Sequence, residues 1–177
     1  MNGTNVIEIT KPDFVIGIIP CQNRFFLDRV WPVISPAVDD LASASLEEWT
    51  AFRVWREIFA GTMHLYMAYV NNQTLITPEK FQEEFFGKLK DPAREFAGFM
   101  LLQIHLGNET AAHIFAVHIQ PEYRQSNLLV NGMKFIEREI RNMKAKYISL
   151  STRGEYSEAM RRFGFQETTV NFRKKLS

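Results

Sequence analysis

The chain predicts an α/β fold of the α+β kind, a mixed, mostly antiparallel sheet flanked by helices. Three patterns predict it. Two apolar runs, 96–105 and 111–119, flank the turn sequence Leu106-Gly107-Asn108-Glu109-Thr110 and read as a hairpin, with Gly107 free to take a positive φ. Leu129, Met133, Ile136, Ile140 and Met143 recur at spacings of 4, 3, 4 and 3, one face of a helix. A strand-like run, 147–151, follows that helix, and such a crossover requires a parallel pair beside the antiparallel hairpin.

From the N-terminus, residues 6–10 read as a short strand. A turn at Lys11-Pro12-Asp13 leads into a second apolar run, 14–19. A short helix from Phe25 to Trp31 is expected to stop at Pro32 and Pro36, because proline lacks the amide proton a helix interior uses. Ser45 and Glu48 have the spacing of a capping box. Trp49, Phe52, Trp55, Ile58 and Phe59 then recur at helical spacing up to Gly61, and this stripe is read as core packing. A strand, 63–70, follows. Thr77-Pro78 opens another expected helix, with Phe81, Phe85 and Leu89 on one face, as an insertion across 71–95. In the second half, the nearly unbroken apolar run 111–119 is expected to be covered on both faces. Lys134, Glu137, Arg138, Arg141 and Lys144 fill the outer face of the long helix. A short helix, 155–163, ends at Gly164, and a last strand runs over 165–174.

The 177 residues are 46% hydrophobic and 23% charged, which suits one globular domain able to bury its own core. Lys plus Arg is 21 against 20 for Asp plus Glu, so a general polyanion binder is disfavoured. The basic positions Arg153, Arg161, Arg162, Arg173, Lys174 and Lys175 leave nucleic acid as the least favoured reading. Cys21 is the only cysteine, so no internal disulfide or paired-cysteine metal site is expected, and a reducing, cytoplasmic setting fits. No apolar run reaches membrane-spanning length, and the first residues lack a signal-peptide pattern. No His or carboxylate set has metal-ligand spacing, so no metal is expected. The 15 Phe, 5 Tyr and 3 Trp imply either a thick core or a buried partner surface.

The second half resembles the GNAT superfamily of acyl-CoA-dependent N-acyltransferases. Ile119-Gln120-Pro121-Glu122-Tyr123-Arg124 is similar to that family's exit from its fourth strand into the acyl-CoA loop. The elements over 128–151 match the next helix and strand. Arg162-Phe163-Gly164-Phe165 is similar to the family's closing signature. The resemblance covers 96–176 of a single domain, 1–177; the half 1–95 follows the family order loosely. It implies acetyl-CoA as cosubstrate and an amine as acceptor. Arg124 and the amides of Gln125, Ser126, Asn127, Leu128 and Leu129 would bind the pyrophosphate, while Val117 and Ile119 would flank the pantetheine arm.

The sequence departs from the family pattern at defined places. The two small positions of the loop are Asn127 and Leu129, where close approach of backbone to phosphate favours glycine. Asn127 can still take a left-handed conformation. Ser126 is either the helix N-cap or a phosphate contact. Arg153 stands where the family often has an Asn that holds the cofactor. Met160 stands where it often has a Tyr that protonates the leaving thiolate, leaving Tyr156, one turn earlier, as the nearby substitute. His113, eleven residues before Arg124, matches the place of a catalytic Glu in some members. It is either the general base or a buried histidine satisfied by a neighbouring strand. Strand alternation puts His118 on the opposite face from His113.

Two functions follow from the resemblance. One is N-acyl transfer from acetyl-CoA to a small-molecule or protein amine. The other is a catalytically inactive GNAT-like structural or binding protein, such as the divergent members that viruses encode, located in the virion and meeting protein partners or further copies through its aromatic N-terminal half.

Overall fold

The computed structural model describes residues 13–19, 24–44, 49–71, 95–105, 110–150 and 157–166, together with Gly87, Asp91 and Ala93. The expected first strand over 6–10, the insertion helix with Phe81, Phe85 and Leu89, Gly107 and the last strand after 166 lie outside the described residues. The elements are β1 (Asp13–Ile18), α1 (Arg24–Ala44), α2 (Ala51–Phe59), β2 (Met63–Asn71), β3 (Phe96–His105) and β4 (Ala111–Ile119). A 3-10 turn (Pro121–Tyr123), α3 (Leu128–Asn142), β5 (Tyr147–Leu150) and α4 (Ser157–Arg162) complete them. The described strands form one sheet in the order β1-β2-β3-β4-β5. The first three pairings are antiparallel, and β4 and β5 are parallel, as the crossover through α3 requires.

Two apolar layers hold the sheet between helices. On one face, Leu27, Val30, Ile34 and Val38 of α1 and Val54 and Ile58 of α2 pack on Leu65, Met67, Tyr69, Phe99 and Leu101. On the other, Met133, Ile136 and Ile140 of α3 pack on Tyr66, Met100, Leu102, Ala112 and Ile114. Phe163 and Phe165, which follow α4, join this second layer. The α3 stripe is therefore the one its spacing predicted. β4, an inner strand of the described sheet, meets both layers: Ala112 and Ile114 are buried toward α3, while Phe115 and Ala116 pack, half-buried, against the α1–α2 layer.

The helix expected to stop at its prolines does not stop. α1 continues through Pro32 and Pro36 for 21 residues. Leu27, Val30, Ile34 and Val38 are each 0% exposed, while both prolines lie on the exposed face. Each buried aliphatic contributes roughly 1.5–3 kcal/mol. Each internal proline costs about 3 kcal/mol, with the orphaned carbonyl left to water. Four buried anchors thus outweigh two prolines. Pro32→Ala and Pro36→Ala should each raise stability by about 1–3 kcal/mol, read from the urea midpoint, because alanine restores a hydrogen bond at an exposed site. An unchanged midpoint in both variants would mean that the helix is already broken there in solution.

The start of α2 also differs from its expected cap. The helix begins at Ala51, and the Thr50 side chain accepts the Arg53 N–H at 3.2 Å, so Thr50 replaces Ser45 as the cap. Gly61, at φ 77°, closes the helix as expected. The aromatic stripe divides. Ala51, Val54 and Ile58 make the buried face. Trp49 precedes the helix and packs on Phe115, with ring centroids 4.9 Å apart. Phe52 is 71% and Phe59 43% exposed, and they stack on either side of Trp55 at 6.4 and 5.4 Å. The core expectation thus holds for Trp49 and Ile58, with Trp55 packed at the core's edge, and fails for Phe52 and Phe59.

Candidate active site

The site is built by an irregularity in β4. Leu101 pairs with Ala116 and Leu102 with Ile114, so Phe115 is an extra residue on β4. A bulge advances the strand by one position and reverses the alternation beyond it. His113 pairs with Gln103, which reaches α2 through a 2.9 Å bond to Glu57. His118 pairs with Phe99 and stacks on it at 5.4 Å, in the layer beneath α1 and α2. Both histidines therefore face α1 and α2, and the opposite-face expectation for His118 is corrected. Plain alternation cannot register an inserted residue.

On its other side β4 pairs with β5 over the described residues of β5. Their register runs from Ala111 opposite Tyr147 to Ile114 opposite Leu150. Beyond it, no described strand pairs with residues 115–119 on that side. Val117 and Ile119 point toward α3, and the chain then turns through Pro121–Tyr123 into the N-terminus of α3. The end of β4 thus leads straight to the positive end of a 15-residue helix.

Ser126 acts as a local cap. Its hydroxyl donates to the Tyr123 carbonyl at 2.6 Å and accepts the Leu128 N–H at 3.1 Å. Of its two expected roles, the capping one is occupied. Asn127 holds the N-cap position at φ −83° without a side-chain cap bond, so the left-handed conformation expected for it is not used. No residue from 120 to 129 has a positive φ, which removes one reason for glycine in this loop. Leu129 turns inward to the α3 layer and does not crowd the outer side of the loop. The Arg124 side chain folds back, its Nε donating to the Ile119 carbonyl at 3.3 Å, and Gln125 is exposed. The helix start thus offers a diphosphate the Leu129 amide and an exposed arginine, whereas the Leu128 amide is already donated to the Ser126 hydroxyl.

His113 Nδ1 lies 3.0 Å from Ser149 Oγ, and Ser149 Oγ lies 3.4 Å from the Ala112 carbonyl. With the serine proton on that carbonyl, Nδ1–H is the donor and Nε2 carries the basic lone pair. The neighbouring strand does supply a partner, as the bland expectation had it, but the ring is only half-buried. Arg153 and Tyr156, the other expected site residues, lie outside the described residues. Met160 is described and half-buried.

Sequence reasoning missed two features of the site. One is Gly98 of β3, where a Cβ would collide with the His118 carbonyl oxygen and lie 3.2 Å from Ile119 Cα. This is a close backbone approach that an isolated strand glycine signals. The other is an apolar cavity of about 30 Å³ beneath the start of α3, with Gly98, Tyr66, Val117 and Leu129 among its walls. Burial pushes the Tyr66 hydroxyl up to about 12, with the nearby Glu139 carboxylate adding to it. Among the described residues, no group of three His, Cys, Asp or Glu could hold a metal ion, and no helix is long and apolar enough to cross a membrane.

His64 and His118 are both held below the ordinary histidine value of 6.5. For His64 the cause is burial, and its Nδ1 has no partner among the described residues. For His118 burial leads and Arg124 adds to it, against the Gln120 hydrogen bond and Asp40. A lowered folded-state pKa means that the unfolded chain binds the proton more readily. Their stabilising contribution is therefore complete above pH 6.5 and is lost as pH falls through the folded values. The urea midpoint should drop between about pH 7.5 and 5.5, and His64→Leu should flatten part of that drop. A midpoint that rises on acidification would contradict this assignment.

The chain matches no family model and no curated protein. Its fold does match solved structures. An aminoglycoside acetyltransferase from an uncultured soil metagenomic sample, in complex with sisomicin, aligns with a TM-score of 0.59 at 6% identity, over 93% of this chain and 97% of that one. Glucosamine-6-phosphate N-acetyltransferase from Arabidopsis thaliana gives 0.56 at 11% identity, over 93% and 99%. An acetyltransferase from Trypanosoma brucei gives 0.56 at 12% identity, over 93% and 100%. At these identities the likeness is one of fold.

Proposed function

We propose that this chain, which has the GNAT acetyltransferase fold, is an acyl-CoA-dependent N-acyltransferase with acetyl-CoA as its reference donor. The observation that carries the reading is that β4 leads through the turn Pro121–Tyr123 to the N-terminus of the 15-residue α3, beside the exposed Arg124. In this reading the pantetheine arm lies along residues 115–119 as an added strand, flanked by Val117 and Ile119. The pyrophosphate meets Arg124 and the amides of Gln125, Asn127 and Leu129, while the Ser126 and Leu128 amides, donated to the Tyr123 carbonyl and the Ser126 hydroxyl, hold the loop in shape. The amine acceptor approaches from the α1 and α2 face. His113 Nε2 takes a proton from the amine, directly or through a water. The amine nitrogen bonds to the thioester carbon, and the C–S bond breaks. The thiolate leaves and is protonated by water or by Tyr156, with Arg153 available as a further phosphate contact.

Calorimetry with acetyl-CoA tests the reading. Micromolar binding is expected, weakened tenfold or more by Arg124→Ala, a loss of one charge-assisted phosphate contact. Absence of binding at millimolar acetyl-CoA would sink the enzyme reading. One observation favours the second reading, a GNAT-like binding protein without catalysis: the exposed ladder of Phe52, Trp55 and Phe59 suits a protein partner of the N-terminal half.

A further inference from the structure

The strand order puts β4 between β3 and β5. His113 lies opposite Gln103 of β3 on one side and Ser149 of β5 on the other. Its Nδ1 is turned to Ser149 at 3.0 Å. The Cδ2–Nε2 edge of the ring is therefore turned the other way, toward β3 and Gln103. Directly opposed side chains start about 4.5–5.5 Å apart at Cβ, so Gln103 and Nε2 flank one small space. The Gln103 carboxamide is held from behind. It donates to Glu57 Oε2 at 2.9 Å, and Arg53 Nε donates to the other oxygen of that carboxylate at 3.0 Å. The Glu57 side chain is only 20% exposed, which shields these bonds from water. An ionised carboxylate only accepts, so the NH2 group of Gln103 faces Glu57 and Oε1 faces away from it. Glu57 stands just before β2: its carbonyl accepts the Thr62 amide, next to Met63, and Met63 pairs with Gln103. The carboxylate thus reaches Gln103 from the β2 side and turns Oε1 toward β4, beside the nitrogen assigned to the base.

We infer that Gln103 binds the acceptor nitrogen through Oε1, and that the pairing of Gln103 with His113 selects primary amines. The inference rests on the N-acyltransferase reading and deepens it by naming the acceptor class. A primary ammonium carries three N–H bonds. One proton passes to His113 Nε2, and the freed lone pair attacks the thioester carbon. A second proton ends, through water, on the leaving thiolate as the C–S bond breaks. The third N–H survives in the amide product and donates to Gln103 Oε1 from encounter to release. A secondary ammonium has two N–H bonds, and both are lost in the reaction. Its last N–H cannot be both given up and kept on Gln103. Glu57 is a positioning residue: it does not meet the amine and acts by fixing the direction of the carboxamide.

The test compares benzylamine with N-methylbenzylamine as acceptors for the full chain at saturating acetyl-CoA. Trp49 and Phe115 lie beside Glu57 on this face, which suits a benzyl group. Each amine's uncatalysed rate with the same thioester is its baseline. The normalised kcat/KM should favour the primary amine by about tenfold or more, the worth of one hydrogen bond to a group that develops charge. Gln103→Met keeps the reach of the side chain and removes the acceptor oxygen. It should lower kcat/KM for benzylamine by about the same factor and bring the normalised ratio near one, with the acetyl-CoA Kd unchanged. Glu57→Gln should remove part of the preference in the parent chain and none in Gln103→Met, because it acts only through Gln103. A ratio of one in the unmutated chain would overturn the inference. So would a preference that survives in Gln103→Met, or acetylation of neither amine by a chain that binds acetyl-CoA. Should Gln103→Met lose acetyl-CoA binding through misfolding, Glu57→Gln decides alone, and an undiminished preference there overturns the inference. Each of these outcomes leaves the acyltransferase reading standing. If the unmutated chain does not bind acetyl-CoA, that reading itself fails and the inference falls with it.

Discussion

Alanine at Gly98 should destabilise the protein by about 1–3 kcal/mol, and more if β3 and β4 must separate to admit it. The added methyl would collide with the His118 carbonyl oxygen, which belongs to a backbone held by the β3–β4 ladder. A flexible side chain would swing aside; a paired strand does not. The displaced segment, 117–119, is also the one proposed to carry the pantetheine. The urea midpoint and the acetyl-CoA Kd should therefore worsen together. Gly132→Ala makes the opposite case. There the methyl enters open space in a helix interior, where alanine is favoured over glycine by roughly 0.5–1 kcal/mol. Equal stability of Gly98→Ala and the parent chain would show that the strands are not as close as described.

His113→Ala should carry the largest functional effect, a loss of about 10²–10⁴-fold in turnover with a reactive amine acceptor, the range typical for a general base. Ser149→Ala should cost less, because the serine positions the ring through Nδ1 and does not meet the amine. Added imidazole should restore part of the His113→Ala activity and none of a variant that merely lost its fold. Full activity in His113→Ala would remove this residue from the chemistry. His118, on the same face, would be the next to test, since it stacks on Phe99 within the same layer.

The balance between local and tertiary information is visible residue by residue. Leu129, Met133, Ile136 and Ile140 name their own helix, because one face at 3.6-residue spacing is a local property. The hairpin of β3 and β4 and the parallel pairing of β5 follow from connection length and handedness. Arg124 and the residues after it were legible as a strand exit leading into a helix. The candidate loop could therefore be found without coordinates.

Other features depended on what lies across from a residue. The four buried aliphatics of α1 carry it through two prolines, and that outcome is decided by the sheet they cover. Phe52 and Phe59 are as apolar as Val54 and Ile58, yet the helix has one face to bury and the sheet took the other residues. The common face of His113 and His118 turns on Phe115, an extra residue that exists only relative to the register of β3. The sequence by itself determined which segments between 96 and 150 are helix and strand and where the candidate loop begins. Only the tertiary structure decided which side chains share a face, where β4 carries its extra residue, and that a cavity lies under Gly132. Periodicity is a property of one segment, whereas register and closure are set by neighbours far away in the chain.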